Sequence, residues 1–427
     1  MQPFFRRLSR RIVTNPPVPE PHRTNFRNLY WDVAWYGVLN GSTISFLTIY
    51  ATRQGASEMQ LGLINAIPAV INLLFAIPVA AWLSRRSMRR GVFLSAVAYR
   101  FFYLLLIPLP ALLLPAAEVW IVIGITLLMA VPGTALQVGF NSLFAEAVPI
   151  EWRGHVTGIR NALLAFSTTV STLLCGYMLA KIQFPFGYHV VFALGFLGGL
   201  MSTIYLARVR PVNNYPGQMN TPGAIAVKQS ALRGWVQRNF PVHVLRGSYG
   251  VVMLLFFLFH YGQYVAIPVF PIFSVNELRL NDQVISIGTG LFNVATFFGS
   301  LQLAKVVRRL GNKRVMVIGA SMLGIYPFLF ALAHGIGLFL LASLVGGLTW
   351  ALVGGAMFNF LLEKVPDENR APYLAVYTLV LNAAVLIGSF SGPALAQWVG
   401  LRPAMIAFAL VRWGAAVAFW RWGGEKE

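Results

Sequence analysis

The sequence predicts an all-α polytopic membrane protein, with twelve transmembrane helices in two pseudo-symmetric six-helix bundles. Three observations predict it. The 427 residues are 57% hydrophobic and only 11% charged, against roughly 25% charged residues in a soluble domain. Apolar runs follow one another along the chain, each long enough to cross a hydrocarbon layer about 30 Å thick. Three stretches of the first half also recur in the second half, in the same order. The alternating pattern of an outer-membrane barrel is absent.

Taken in order, residues 1–27 hold six arginines among several prolines and no apolar signal-peptide core, so they read as a basic cytoplasmic tail. Spans 1 to 6 fall at 29–51, 61–83, 91–114, 119–147, 156–180 and 188–207, giving an N-terminal bundle over 28–207. Residues 208–246 are polar, basic and rich in proline and glycine, and form a cytoplasmic linker. Within the linker, "AIAVKQSALRGWVQ" reads either as a short membrane-surface helix or as plain tether. Spans 7 to 12 fall at 247–275, 284–304, 315–334, 336–362, 372–396 and 401–420, giving a C-terminal bundle over 247–420 and a tail at 421–427.

Orientation follows from the basic residues. With the N-terminus inside, 26 of the 33 Lys and Arg fall in cytoplasmic segments and four in outer loops, so both termini are expected in the cytoplasm of a cell that carries the protein in its plasma or inner membrane. The same split accounts for the net charge of +20 without a nucleic-acid partner. Cys175 is the single cysteine, which excludes a disulfide framework or a cysteine metal site.

The halves are repeats. Shifted by 224 positions, "SRRSMRRGVFL" from 84 lies over "RRLGNKRVMVI" from 308, so Arg85, Arg89 and Arg90 meet Arg309, Lys313 and Arg314. Shifted by 217, "AEAVPIEWRG" meets "LEKVPDENRA", so Glu146 and Arg153 meet Glu363 and Arg370. Shifted by 213, Gly187 meets Gly400 and Arg208 meets Arg421. Parallel halves with a site between them at mid-depth is a known transporter layout.

Over its ordered length the chain resembles the major facilitator superfamily. That family's loop between spans 2 and 3 survives in part, as Arg309, Gly311 and Lys313 in the second half and as Arg85 and Arg89 in the first. Arg308 and Ser84 stand where the family has an acid. The Glu-x6-Arg spacing after spans 4 and 10 is similar to an element common among sugar porters. The resemblance implies the family's fold and alternating-access transport of a small-molecule substrate. Glu146 and Arg153 are expected to pair with Arg85, Arg89 and Arg90, and Glu363 and Arg370 with Arg309, Lys313 and Arg314, as a cytoplasmic gate. The other reading is positive-inside charge beside ordinary helix-end acids.

The resemblance also implies that spans 1, 4, 7 and 10 line a central cavity, flanked by 2, 5, 8 and 11. Candidate substrate contacts are then Tyr36, Asn40 and Thr43 of span 1 and Gln137 and Asn141 of span 4. His260, Gln263 and Tyr264 share one face of span 7, and Asn293, Trp350 and Asn382 mark spans 8, 10 and 11. Each serves equally well as interhelical glue, at about 0.6–2 kcal/mol. His260 and Asp32 are the candidate proton-coupling groups. Asp32 reads alternatively as a helix cap or a partner of Arg23 or Arg27. Arg100 and Arg412, deep in spans 3 and 12, are expected to snorkel or to bond freed carbonyls, with contact to an anionic ligand as the other reading, and Arg160 to join the cytoplasmic charge layer. With no acid at mid-depth, the cavity is expected to suit a neutral, polar-aromatic or amphiphilic solute.

Other function classes lack their motifs. There is no Gly-x4-Gly-Lys nucleotide loop, the histidines are scattered with no metal spacing, and no catalytic cluster or cofactor signature is present. The expected partners are a small-molecule substrate, the lipid bilayer and protons, with the chain acting as a monomer. A relative that binds without transporting is the second reading.

Overall fold

The computed structural model describes residues 20–112, 114–210, 245, 247–365 and 370–423. The 1–19 and 424–427 stretches, and nearly all of the 208–246 linker with its expected surface helix, lie outside them. Helix α1 runs as Glu20–Leu39, a π-helical turn Asn40–Ile44 and Ser45–Arg53. It is followed by α2 (Glu58–Ser84), α3 (Met88–Leu106), α4 (Pro115–Ala147), α5 (Ile150–Lys181) and α6 (Gly187–Ala207). The second half holds α7 (Ser248–Tyr264, extended by Val269–Ile272 and a π-helical turn Phe273–Glu277) and α8 (Asp282–Leu310). It closes with α9 (Asn312–Leu332), α10 (Ile336–Glu363), α11 (Arg370–Val399) and α12 (Leu401–Trp422).

Local chemistry sets these boundaries. Ser57 and Gln60 form a reciprocal capping box at the start of α2. The Asn281 side chain accepts from the Val284 amide at 2.9 Å and caps α8. Gly311, at φ 79°, ends α8 in the left-handed region that suits glycine, which gives that hallmark-loop position a backbone reason. The described part of helix α1 opens at Glu20, nine residues before the first expected span. Eleven of the described helices are long and apolar enough to cross a membrane. The exception is α1, whose first segment carries His22, Arg23, Asn25, Arg27, Asn28 and Asp32.

Packing repeats between the halves. In the first, α2 packs on α4, α3 on α4 and α6, and α1 on α5 and α6. In the second, α8 packs on α10, α9 on α10 and α12, and α7 on α11 and α12, which is the same set moved six helices along. The two large seams between the halves, α5 with α8 and α2 with α11, exchange under the same operation. A pseudo-two-fold axis between two six-helix bundles accounts for all of these pairs.

The seams are tight at one end only. Call the end bearing the termini the tail end, and the other the far end. Toward the far end one apolar cluster is continuous across both bundles, from Tyr50, Leu61 and Phe192 to Phe273, Phe330 and Phe408. Toward the tail end it divides into a C-terminal cluster around Phe256, Val315 and Phe360 and an N-terminal one around Leu29, Val92 and Leu143. Gly62 lets α2 lie against the carbonyl of Ser389, which Pro393 leaves without its helical donor. Arg53 of α1 reaches across to Asp282 of α8 at 2.6 Å and to the Leu280 carbonyl at 2.8 Å, and Tyr188 donates to the other Asp282 oxygen at 3.0 Å. In the tail half, Gln137 and Asn141 of α4 are exposed within an otherwise apolar helix. The bundles therefore meet at the far end and part toward the tail end.

Candidate functional site

The gap carries one cavity on each bundle. The N-terminal cavity, about 420 Å³, is lined by Asp32, Tyr36, Asn72, Tyr99, Arg100, Gln137, Asn141 and Arg160 among others. The C-terminal one, about 470 Å³, is lined by Gln263, Thr289, Tyr326, Ser343, Trp350 and Arg412, with Ser45 and Thr48 of α1. Both volumes lie in the roughly 300–1,000 Å³ range of small-molecule sites.

Glycines of α6 build the floor of the first cavity. A Cβ at Gly198 would lie 2.9 Å from the Leu39 amide nitrogen, and one at Gly195 would run into Thr43, so α6 lies close along α1. That approach brings Ser202 to Asp32, whose Oδ1 accepts from the hydroxyl at 2.6 Å. Arg100 enters from α3 with its stem over Gly199, and donates to Ser202 at 2.8 Å and to Thr203 at 2.7 Å. Its guanidinium is 4.0 Å from Asp32 Oδ1, while Arg160 of α5 is 3.6 Å from Oδ2. Arg160 also lies over Phe140, 4.5 Å from the ring centre. Asp32 is 4% exposed and Arg100 5%, so three charges sit inside the bundle. Arg100 Nε and Arg160 Nη1 are buried with no partner among the described residues.

The equivalent region of the C-terminal bundle holds one arginine and, among the described residues, no acid beside it. Arg412 donates to the carbonyls of Gly262 at 2.8 Å, Leu323 at 2.9 Å and Gln263 at 3.4 Å. Proline makes the Leu323 acceptor available, because residue 327, four further on, is Pro and has no N–H to give it. The Gly262 and Gln263 carbonyls precede the break in α7 after Tyr264, where the helical ladder lapses. His260 is buried, with Nε2 3.1 Å from the Tyr377 hydroxyl and Phe256, Phe259 and Tyr264 packed around the ring.

The expected contacts divide accordingly. Tyr36, Gln137 and Asn141 join Asp32 in the first cavity, and Gln263 and Trp350 join the second. Asn40 instead donates to Thr168 of α5 at 3.3 Å, and Thr43 is buried against Gly195. His260, Tyr264, Asn293 and Asn382 line neither cavity, and Asn382 donates back to the Thr378 carbonyl at 2.9 Å. Asp32 pairs with Arg100 and Arg160 rather than with Arg23 or Arg27, because the earlier start of α1 carries it inward. Arg160 leaves the peripheral charge layer for the same reason, and the expectation of a charge-free cavity gives way with it.

Among the described side chains, the gate pairings expected between acids and basic loops are not formed. Arg153 closes the α4–α5 turn by donating to the Val148 and Ala145 carbonyls at 3.2 and 2.8 Å. Arg89 donates to the Ala207 carbonyl at 3.0 and 2.8 Å. Glu146 is half-buried and has no ion pair among the described residues. Glu363 accepts from Asn312 at 2.6 Å instead of from Arg309, Lys313 or Arg314. Arg85, Arg90, Arg309 and Arg314 are exposed, and the Arg370 side chain lies outside the described residues. With the bundles parted here the basic groups stay hydrated, and an exposed pair would add little.

Tyr99 is a cavity residue that sequence reasoning passed over, and Arg100 and Arg160 are cavity residues that it assigned to structural roles. The signal was available, because an intramembrane arginine needs a partner, and Asp32 lies near the start of the first cavity-lining span.

A helical membrane protein with paired bundles around a polar, charged gap has the architecture of a solute carrier. The Major Facilitator Superfamily profile matches residues 34–247 and 252–427, and the chain belongs to that family. Quinolone resistance protein NorA of Staphylococcus aureus is 22% identical over 154 residues, 36% of this chain and 39% of that protein, so the match spans well under half of the relative. Among solved structures, the xylose transporter XylE from E. coli in an inward open conformation is similar with TM-score 0.67 at 18% identity, covering 95% of this chain and 96% of that one. The nucleoside transporter NupG is similar with TM-score 0.65 at 15% identity, covering 94% and 99%.

Proposed function

We propose that the chain is a secondary active transporter that moves a small organic solute by alternating access. The observation that carries this is the apolar core, fused across the bundles at the far end and divided at the tail end, with polar cavities between. With both termini in the cytoplasm of a plasma-membrane protein, as the basic residues indicate, the conformation described is the inward-open one. The Arg53–Asp282–Tyr188 contact is then the outer latch. The similarity to an inward open xylose transporter supports this reading.

Coupling to protons is assigned to Asp32. It is the acid that lines the cavity, and two guanidiniums share it, so a change at this one group alters the charge seen by a solute. His260 is the weaker candidate, since it is held by Tyr377 in an aromatic surround off both cavities. Gln137, Asn141, Tyr36, Gln263 and Trp350 supply polar and aromatic contacts for the solute.

The test uses proteoliposomes loaded with a pH-sensitive dye and challenged with solutes at an imposed pH gradient. Solute-dependent proton movement in the wild type, lost in Asp32→Asn and kept in His260→Gln, is the expected result. Solute binding with no flux under any gradient would make the protein a binding-only relative.

A further inference from the structure

We infer that the solute held at the Asp32–Arg100–Arg160 site is a monovalent organic anion whose carboxylate is received by Arg160. This rests on the transport reading of the same cavity and names its substrate class. The formal charges are two guanidiniums against one carboxylate, which leaves one positive charge in excess. No other acid lines this cavity among the described residues. A buried excess charge is unfavourable until something of opposite sign joins it. One carboxylate balances the site, whereas a phosphate monoester near neutral pH would overshoot it.

The leftover hydrogen-bonding capacity has the same polarity. Arg160 Nη1 and Arg100 Nε are buried donors without acceptors among the described residues. Asn72 accepts from Thr134 through its carbonyl oxygen at 2.5 Å, so its NH₂ group is what it offers a ligand. Tyr99 accepts from Tyr103 at 2.8 Å, so its own hydroxyl hydrogen is left to donate. Four groups on three helices thus present donors, and a carboxylate is the acceptor that satisfies several at once. Arg160 is the receiving group because its side chain is 14% exposed, against 6% for Arg100, and because two Arg100 nitrogens already donate to Ser202 and Thr203. In the opposite bundle each of the three nitrogens of Arg412 already donates to a carbonyl.

The experiment is thermal unfolding of the full-length purified protein with matched triplets. Benzoate, 3-phenylpropionate and indole-3-acetate are each compared with the corresponding amide and amine, with phenyl phosphate and chloride alongside. At least one acid is expected to raise the melting temperature while its amide and amine do not, and phenyl phosphate to act more weakly than benzoate. Arg160→Gln should abolish the shift and Arg160→Lys keep part of it. Without ligand, Arg160→Gln should melt no lower than wild type, because it removes the excess charge. The inference is overturned by amides or amines that match their acids, by phenyl phosphate or chloride outdoing every acid, by the absence of any acid-dependent shift, or by an acid shift that survives Arg160→Gln. Acid binding with no flux in the proteoliposome assay removes the transport reading and leaves the anion site standing. Flux of a neutral or cationic solute without acid binding does the reverse.

Discussion

Each bundle buries one deep arginine along the same seam, and the two solve its desolvation differently. Under the repeat offsets Arg100 falls on Gly324 and Gly199 falls on Arg412, so the arginine comes from the third helix in one bundle and the sixth in the other. In the N-terminal bundle Arg100 finds two hydroxyls and an acid, and a second arginine joins from α5. In the C-terminal bundle Arg412 finds main-chain carbonyls, one of them released by Pro327. A guanidinium held by neutral carbonyls is a fixed structural cation. One that shares an acid with a competitor is adjustable, because a proton or a ligand changes the balance. The duplicated scaffold thus separates a switching bundle from a bracing one.

The largest effect expected from this contrast is at Asp32. Asp32→Asn leaves two buried guanidiniums without a counter-charge and should lower stability by about 3–5 kcal/mol, read by thermal or denaturant unfolding. A loss smaller than that of any exposed control would deny the network its role. Next comes Arg412→Met, which leaves main-chain acceptors bare and should cost about 1–3 kcal/mol. Combined with Pro327→Ala, which returns an N–H to the Leu323 carbonyl, it should lose less than the two single changes added together. No main-chain change should rescue Asp32→Asn, and additivity in the Arg412 pair would break the comparison. Smaller again is the far-end latch. Arg53→Gln removes a partly exposed cross-bundle pair worth about 1 kcal/mol, a several-fold shift in the ratio of conformers readable by cysteine labelling at that face. The smallest is His260→Gln, expected to change stability by less than about 1 kcal/mol, since the half-buried Tyr377 hydroxyl keeps access to other partners. It should also leave the pH profile of transport unmoved, whereas Asp32→Asn flattens it.

Much of the architecture was legible because it depends on quantities a sequence displays directly. Apolar run length located the twelve helices, and drifting offsets located the repeat whose packing pairs the structure reproduces. The start of α1 was misplaced because its first turns are polar, and hydropathy reads only the lipid-facing part of a helix. That error concealed the site, since with α1 starting late Asp32 looked peripheral and had Arg23 and Arg27 for company. Gln137 and Asn141 were legible from helical spacing. Asn40 and Thr43 were not, because a π-helical turn at Asn40–Ile44 re-aims side chains in a way that a period of 3.6 does not anticipate. The carbonyl cradle of Arg412 was foreseeable in kind. Its details required knowing that Pro327 and the break in α7 lie beside the same side chain.

The most direct test of a two-bundle rocking machine measures both ends at once. In a Cys175→Ser background, spin labels at Lys181 and His334 report the far end, and labels at Arg86 and Arg308 report the tail end. Double electron–electron resonance is recorded with and without a stabilising carboxylate and at two pH values. The account predicts reciprocal change, with the tail-end distance shortening as the far-end distance lengthens, and with both responses lost in Asp32→Asn. Two distances that stay fixed, or that shift in the same direction, would contradict it.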